Sequence, residues 1–217
     1  LLKRRQKPVA AKYSLKRAVA EFGPSGFPFE KFIAEIFKSQ GYKTKTGQTL
    51  KGACITHEVD VIAENENEFI FVEAKFHNQV GTKSDAKVPM YVKSRIEDLE
   101  RTSYGGLKKK NLRSDPWIIT NTKFSRSAIE FGGCYGINMV DWGSPKGRSL
   151  QDLIIDADLH PVTALTGLSK TEKDSLLRQN IVLARDLMHR KEALLALGFS
   201  TIKIEQIFKE ISGIIKQ

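Results

Sequence analysis

Cysteine is scarce: Cys54 and Cys134, eighty positions apart, are the only two in 217 residues. That excludes the disulfide framework of a small secreted domain and makes a reducing cytoplasm the expected location. Long apolar runs are missing as well. No stretch approaches the roughly 20 residues that cross a bilayer, so no membrane partner is expected. The opening "LLKRRQKPVAAKYSLKR" has no apolar segment behind its charges, so no secretory signal is visible in it. It also lacks Met, which reads as the cut end of something longer. Repeats and low-complexity tracts are absent. Acids are in deficit, 25 Asp and Glu against 35 Lys and Arg, for a net charge of +10 and a pI near 9.5. The imbalance favours an anionic partner, with nucleic acid first and an anionic membrane surface second. With 41% hydrophobic and 28% charged residues, disorder is not the default. The length suffices for one sizeable core or a domain with an appendage.

What is present divides into three. Residues 1–22 are basic, with Leu15, Val19 and Phe22 at helical spacing. "GPSGFP" breaks the chain, and "FEKFIAEIFKSQG" reads as an amphipathic helix with Phe29, Phe32, Ile33, Ile36 and Phe37 on one face. Three strands follow, in "YKTKTGQTL", "EVDVIA" and "FIFVEAKFH". In the second, alternation places Val59 and Val61 on one face and Asp60 and Ile62 on the other. A helix near Pro89, a basic loop, the strand "PWIIT", a helix capped by Ser125 and the strand "INMVDW" complete an α/β region over residues 23–147. A βαβαβ tail implies parallel strands. Residues 148–217 read as helical, with "TEKDSLLRQNIVLARDLMHRKEALLALG" one such stretch and Ser200 or Thr201 capping the last helix.

"FIFVEAKFH", residues 69–77, carries Glu73 and Lys75 inside an apolar strand. Two apart on a strand, they share a face. Burying such charges unpartnered is costly. One explanation is a salt bridge on an edge strand. Another needs Asp60, thirteen residues earlier across the acidic turn "ENENE". Two carboxylates brought together repel unless a cation lies between them, and hard oxygen ligands suit Mg²⁺. Lys75 would then face the same spot, able to orient water or meet developing charge. Glu58 shares a face with Asp60, so either acid is open at this point. Cys54 and His57 have ligand-like spacing, but two candidates do not make a zinc site. The plainer reading is a small core thiol beside a surface His.

The pattern D-x(12)-E-x-K resembles the signature of PD-(D/E)xK nucleases, which have the restriction-endonuclease-like fold. "FEKFIAEIFKSQGY" followed by "EVDVIAENENEFIFVEAKF" looks like the Mrr-like and Holliday-junction-resolvase-like branch, with Glu30, eleven positions before Gly41, matching that branch's helix Glu. "WIITNTKFSRSAIEFGGCYGINMVDW" is similar to the branch's closing strand–turn–helix–strand. The resemblance covers about Phe29 to Trp142 and implies an αβββαβαβ core with a mixed sheet flanked by helices, followed here by a helical C-terminal extension. It implies Asp60, Glu73 and the Ala74 backbone carbonyl as metal ligands and Lys75 as the residue that orients the attacking water. Glu30 would act through a second metal or through water. It implies Mg²⁺, with Mn²⁺ a substitute, and DNA products with 5′-phosphate ends. Here Val59 replaces the motif's proline, and "GACITHEVD" replaces a glycine-rich approach. By motif position Asp60 is preferred to Glu58. Cutting both strands needs two sites, so a homodimer is expected. A nuclease-fold protein that binds DNA or a partner without cutting is the alternative, and an RNA substrate stays open.

Lys43, Lys45 and Lys51, together with Lys108, Lys109, Lys110 and Arg113, are candidates for contact with the DNA backbone, or else a solvated face. His77 is a surface His or a further phosphate contact. "RQKPVAAKYSLKRAVAEFGPSGFPFE" looks like the tail joining an ATP-cone to an Mrr-like nuclease, so any ATP would bind a domain outside this chain. "LTGLSKTEKDSLL" resembles a helix-hairpin-helix turn, with Gly167 offering backbone N–H groups to a phosphate. The favoured alternative is a helical packing or dimerisation module.

Overall fold

The computed structural model describes residues 15–79, 81–108 and 113–214. The basic residues before Leu15 lie outside them, as do Lys109 and Lys110.

Residues 15–20 are helical and bury Leu15 and Val19; Phe22 follows them into the core. Helix α1 (Phe27–Ser39) has Pro28 in its first turn, where the missing N–H costs nothing, and buries Phe29, Phe32, Ile33, Ile36 and Phe37. The expected face is the observed one. Strands β1 (Lys43–Lys51), β2 (Thr56–Glu64) and β3 (Glu68–Lys75) then form an antiparallel meander. A two-residue strand, β4 (Lys83–Ser84), leads to α2 (Lys87–Glu100). Strand β5 (Arg113–Thr120) returns parallel to β3, starting before "PWIIT". A short β6 (Lys123–Phe124) pairs with β4, and α3 (Arg126–Cys134) begins at Ser125, whose side chain accepts the N–H of Ala128. Strand β7 (Asn138–Val140) closes the sheet parallel to β5. The order β1-β2-β3-β5-β7 is a mixed five-stranded sheet flanked by helices, the expected restriction-endonuclease-like arrangement.

Beyond it lie α4 (Leu150–Asp156), α5 (Lys170–Arg178), α6 (Lys191–Ala196) and α7 (Thr201–Ile214), with two 3₁₀ turns. The continuous helical stretch expected across residues 171–198 is broken. Asn180 takes φ +60, and a 3₁₀ segment (Ala184–His189) precedes α6. One apolar cluster joins Leu15, Val19 and Phe22, the α1 face, Val61, Ile70 and Val72 of the sheet, and Leu159, Leu183 and Ile211 of the C-terminal region. A second cluster lies across the sheet, where Val92, Ile96 and Leu99 of α2 meet Phe69 and Phe71. No helix among the described residues is long and apolar enough to cross a membrane.

The expected alternation of β2 fails at Asp60. Val59 packs in the α2-side cluster with Ile62, whereas Val61 and Ala63 pack on the α1 side. The β1–β2 ladder omits Gly47 and Asp60, which stand opposite each other, and Gly47 takes φ +58. A positive φ that glycine tolerates lets the two strands rotate there, so β2 changes faces at its acid.

A second glycine fixes the loop between β1 and β2. A Cβ on Gly52 would stand 2.1 Å from Asp98 Oδ2 and 2.8 Å from the Ile55 carbonyl. Asp98 sits there because it accepts the N–H groups of Cys54 and Ile55, at 2.7 and 3.2 Å, and bonds His57 at 2.8 Å. Gly52→Ala should push the carboxylate out of this clamp. The expected loss is about 1–3 kcal/mol, read as a lower urea midpoint at unchanged m-value.

Candidate active site

The site forms where β2 and β3 part. Their ladder runs from Glu64↔Phe69 to Val61↔Val72 and goes no further. Asp60 is the next residue, and its Oδ2 accepts the N–H of Ala74 at 2.7 Å. That side-chain bond stands in for a lost ladder bond and ties the carboxylate to β3. Glu58 is exposed and makes no such bond, so Asp60 is the β2 acid that reaches the third strand.

Glu73 is buried, 7% exposed, and β3 is an interior strand between β2 and β5. The edge-strand salt bridge is therefore ruled out. Nor is Lys75 the cation paired with Glu73. Two residues of α2 hold that carboxylate: the Tyr91 hydroxyl donates to Oε1, and Arg95 Nη1 donates to Oε2 at 2.7 Å. The same Nη1 donates to the Glu58 carbonyl at 3.0 Å, and the guanidinium stacks over the Tyr91 ring at 5.1 Å. Tyr91 and Arg95 are one helical turn apart, beside the apolar stripe of Val88, Val92 and Ile96. Lys75, half-buried, makes no ion pair among the described residues.

Burial pushes the Asp60 carboxyl up to about 7, reinforced by the charge of Glu73 and opposed by the Ala74 N–H. Burial also raises Glu30, reinforced by Glu58 and Glu73. Glu30 stands in the first turn of α1, its carboxylate folded back against Gly26. Burial raises Tyr91 above the usual phenol range, with Glu73 adding to it. The site thus gathers more negative charge than its one guanidinium offsets. Among the described residues, no three carboxylate, imidazole or thiol groups come close enough to hold a metal ion as they stand.

The remaining candidates are spread more widely. His77 bonds Ser84 Oγ at 3.0 Å, and its backbone is clasped on both sides by the Asn121 amide. Burial, with Lys75 beside it, lowers its pKa. The expected core thiol and surface His are reversed. Cys54 is exposed, and the His57 side chain is largely covered in its pair with Asp98. Lys43, Lys45 and Lys51 are exposed along β1, an edge strand, and Lys108 is partly exposed. Arg113 begins β5.

The turn that resembles a helix-hairpin-helix is already filled. Glu210 of α7 accepts the N–H groups of Thr166 and Gly167, at 2.6 and 3.0 Å, and the Thr166 hydroxyl. Against burial, which raises it, these bonds hold its pKa below the usual carboxylate range. Ser169 caps α5 in a reciprocal box with Glu172.

Residues 24–143 match the family model described as "Restriction endonuclease", the Mrr catalytic type. Residues 160–215 match a model described as "AF1548-like, C-terminal". An uncharacterized protein of Archaeoglobus fulgidus is 32% identical over 184 residues, which is 84% of this chain and 99% of that protein. The crystal structure of AF1548, a protein of unknown function, is 30% identical with a TM-score of 0.71, covering 88% of this chain and 98% of that one. A repair endonuclease from Pyrococcus abyssi overlaps more loosely, at 16% identity and a TM-score of 0.39 over 54% of this chain and 46% of that one. With its expected strand order and a match over more than half its length, the chain belongs to the Mrr-type restriction endonuclease family of PD-(D/E)xK proteins.

Proposed function

We propose that this protein is a Mg²⁺-dependent DNA endonuclease that hydrolyses phosphodiester bonds. The observation that carries the reading is the Asp60 carboxylate, fastened to the backbone of Ala74 between Glu73 and Lys75 in a half-buried, over-acidic site. Its donors are hard oxygens, which suit Mg²⁺ or Mn²⁺. Asp60, Glu73 and the Ala74 carbonyl would hold the ion, with Glu30 acting through water or a second ion. When bound, such an ion polarises a phosphoryl oxygen and acidifies water.

The chain's own residues would do the rest. The Ala74 N–H fixes the orientation of Asp60. Lys75, unclaimed by Glu73, would orient the attacking water or help deprotonate it. His77, tied to Ser84, and Lys43, Lys45 and Lys51 are proposed contacts to the DNA backbone. A cavity of about 1050 Å³, reached from the end of β3 by Asn78, sets Arg17, Lys170, Lys173 and Arg178 against Glu21 and Asp174, a modest basic excess that would suit a polyanion. Cutting both strands would require a homodimer.

A second reading, a nuclease-fold protein that binds DNA without cutting, is favoured by one observation. Both Glu73 oxygens are already engaged, by Tyr91 and Arg95. A plasmid nicking assay separates the two. Wild type should nick with Mg²⁺ or Mn²⁺ and stop with a chelator, and Asp60→Ala and Lys75→Ala should not nick. Salt-dependent DNA binding by wild type with no nicking under any metal would establish the second reading.

A further inference from the structure

We propose that Arg95 is a positioning residue that couples metal binding to DNA binding, an inference that rests on the nuclease reading above. Its guanidinium supplies positive charge to the site through Glu73 Oε2 and braces the start of β2 through the Glu58 carbonyl. Arg95 also offsets the charge of Asp60. An ion held between Asp60 and Glu73 would therefore face a resident cation that shares one of its ligands. The two compete for Glu73 Oε2, so metal loading turns Arg95 out.

A displaced guanidinium in a largely covered site needs an anion, and its planar fork matches a phosphate. The Tyr91 ring, with Arg95 stacked on it, gives a surface over which the side chain can swing without losing its packing. The phosphate that accepts Arg95 removes the competitor for Glu73, so metal and DNA each strengthen the other's binding. Lys75 cannot fill this role, because it does not hold Glu73 beforehand.

The test is calorimetric titration of Mn²⁺ into the full chain, without DNA and with a saturating short duplex, in a Lys75→Ala background that prevents cutting. The parent should bind Mn²⁺ about tenfold more tightly when DNA is present. Arg95→Met should bind Mn²⁺ about tenfold more tightly than the parent without DNA, and DNA should then add about twofold or less. Arg95→Lys, which keeps the competing charge but lacks the planar fork and the stacking on Tyr91, should bind Mn²⁺ about as the parent does without DNA and lose most of the gain that DNA brings. The inference is overturned if Arg95→Met binds Mn²⁺ no more tightly than the parent without DNA, or keeps the parent's full DNA dependence. Arg95→Gln takes its place if circular dichroism shows Arg95→Met unfolded. Asp60→Ala is titrated alongside. If it binds Mn²⁺ as the parent does, the metal-site reading falls and this inference with it. If it loses Mn²⁺ while the Arg95 variant matches the parent, only the inference falls.

Discussion

Asp60→Asn is expected to abolish metal-dependent DNA cutting and, in the same protein, to raise the melting temperature. The two effects have one cause. The carboxylate is held half-buried beside Glu73, and burial pushes its pKa up to about 7 from an ordinary 3.8. Between those values the folded protein retains a proton that the unfolded chain has lost. Stability therefore falls as pH rises from 4 through 7, and above 7 the folded state bears the full penalty of the charge. Asn keeps an oxygen to accept the Ala74 N–H and carries no charge. The expected gain is on the order of 1–2 kcal/mol at pH 8, a rise of a few degrees in Tm, shrinking towards zero below pH 4. An amide is a poor ligand for a hard divalent ion, so nicking should fall by about three orders of magnitude. A variant that melts higher and does not cut would mark Asp60 as a residue retained at a cost in stability. One that melts lower would show that its charge stabilises the fold.

Lys75→Met should separate chemistry from metal binding. Glu73 is neutralised by Arg95, so removing Lys75 strips no buried carboxylate of its partner. The apolar stem is kept, and thermal stability should change by less than about 0.5 kcal/mol. Mn²⁺ affinity without DNA should stay within about threefold of wild type, because Lys75 contacts no proposed ligand oxygen. Turnover should drop by about 10²–10⁴-fold if Lys75 positions or deprotonates the water. A loss of Mn²⁺ affinity equal to the loss of turnover would instead make Lys75 a structural support of the site.

The strand that carries Glu73 was legible from sequence because an apolar run with two charges on one face has few cheap explanations. Asp60 could be paired with it from its distance along the chain, whereas Glu30 was named only through the family resemblance. The partners of Glu73 were not. Tyr91 and Arg95 lie on a helix beginning more than a dozen residues later, and their spacing is that of any helical surface pair. A signal existed: two residues able to bind a carboxylate, one turn apart, border an apolar stripe that packs on the very face where Glu73 is buried. Using it required knowing which side of the sheet α2 covers. The reversal at Asp60 was hidden for a similar reason, since strict alternation cannot anticipate a ladder pair lost opposite a glycine in left-handed conformation. In the C-terminal region the helical periodicity was real in α5 and α7. It could not show that Asn180 would turn the chain between them, or that Glu210 would fill the Gly167 turn.

Cutting the chain after Gly147 would not leave a smaller working protein. Val19, Phe22 and the α1 face on one side, and Leu159, Leu183 and Ile211 on the other, belong to a single apolar cluster. A fragment ending at residue 147 would expose that surface to water and be expected to aggregate. A nick is a different matter. Residues 143–148 are exposed, and a protease entering there would sever one peptide bond while the cluster held both pieces together. They should run as two bands on a denaturing gel and elute as one species from a sizing column. For anyone dissecting this chain, the C-terminal region is not a removable module, whatever the break in sequence character at residue 147 implies.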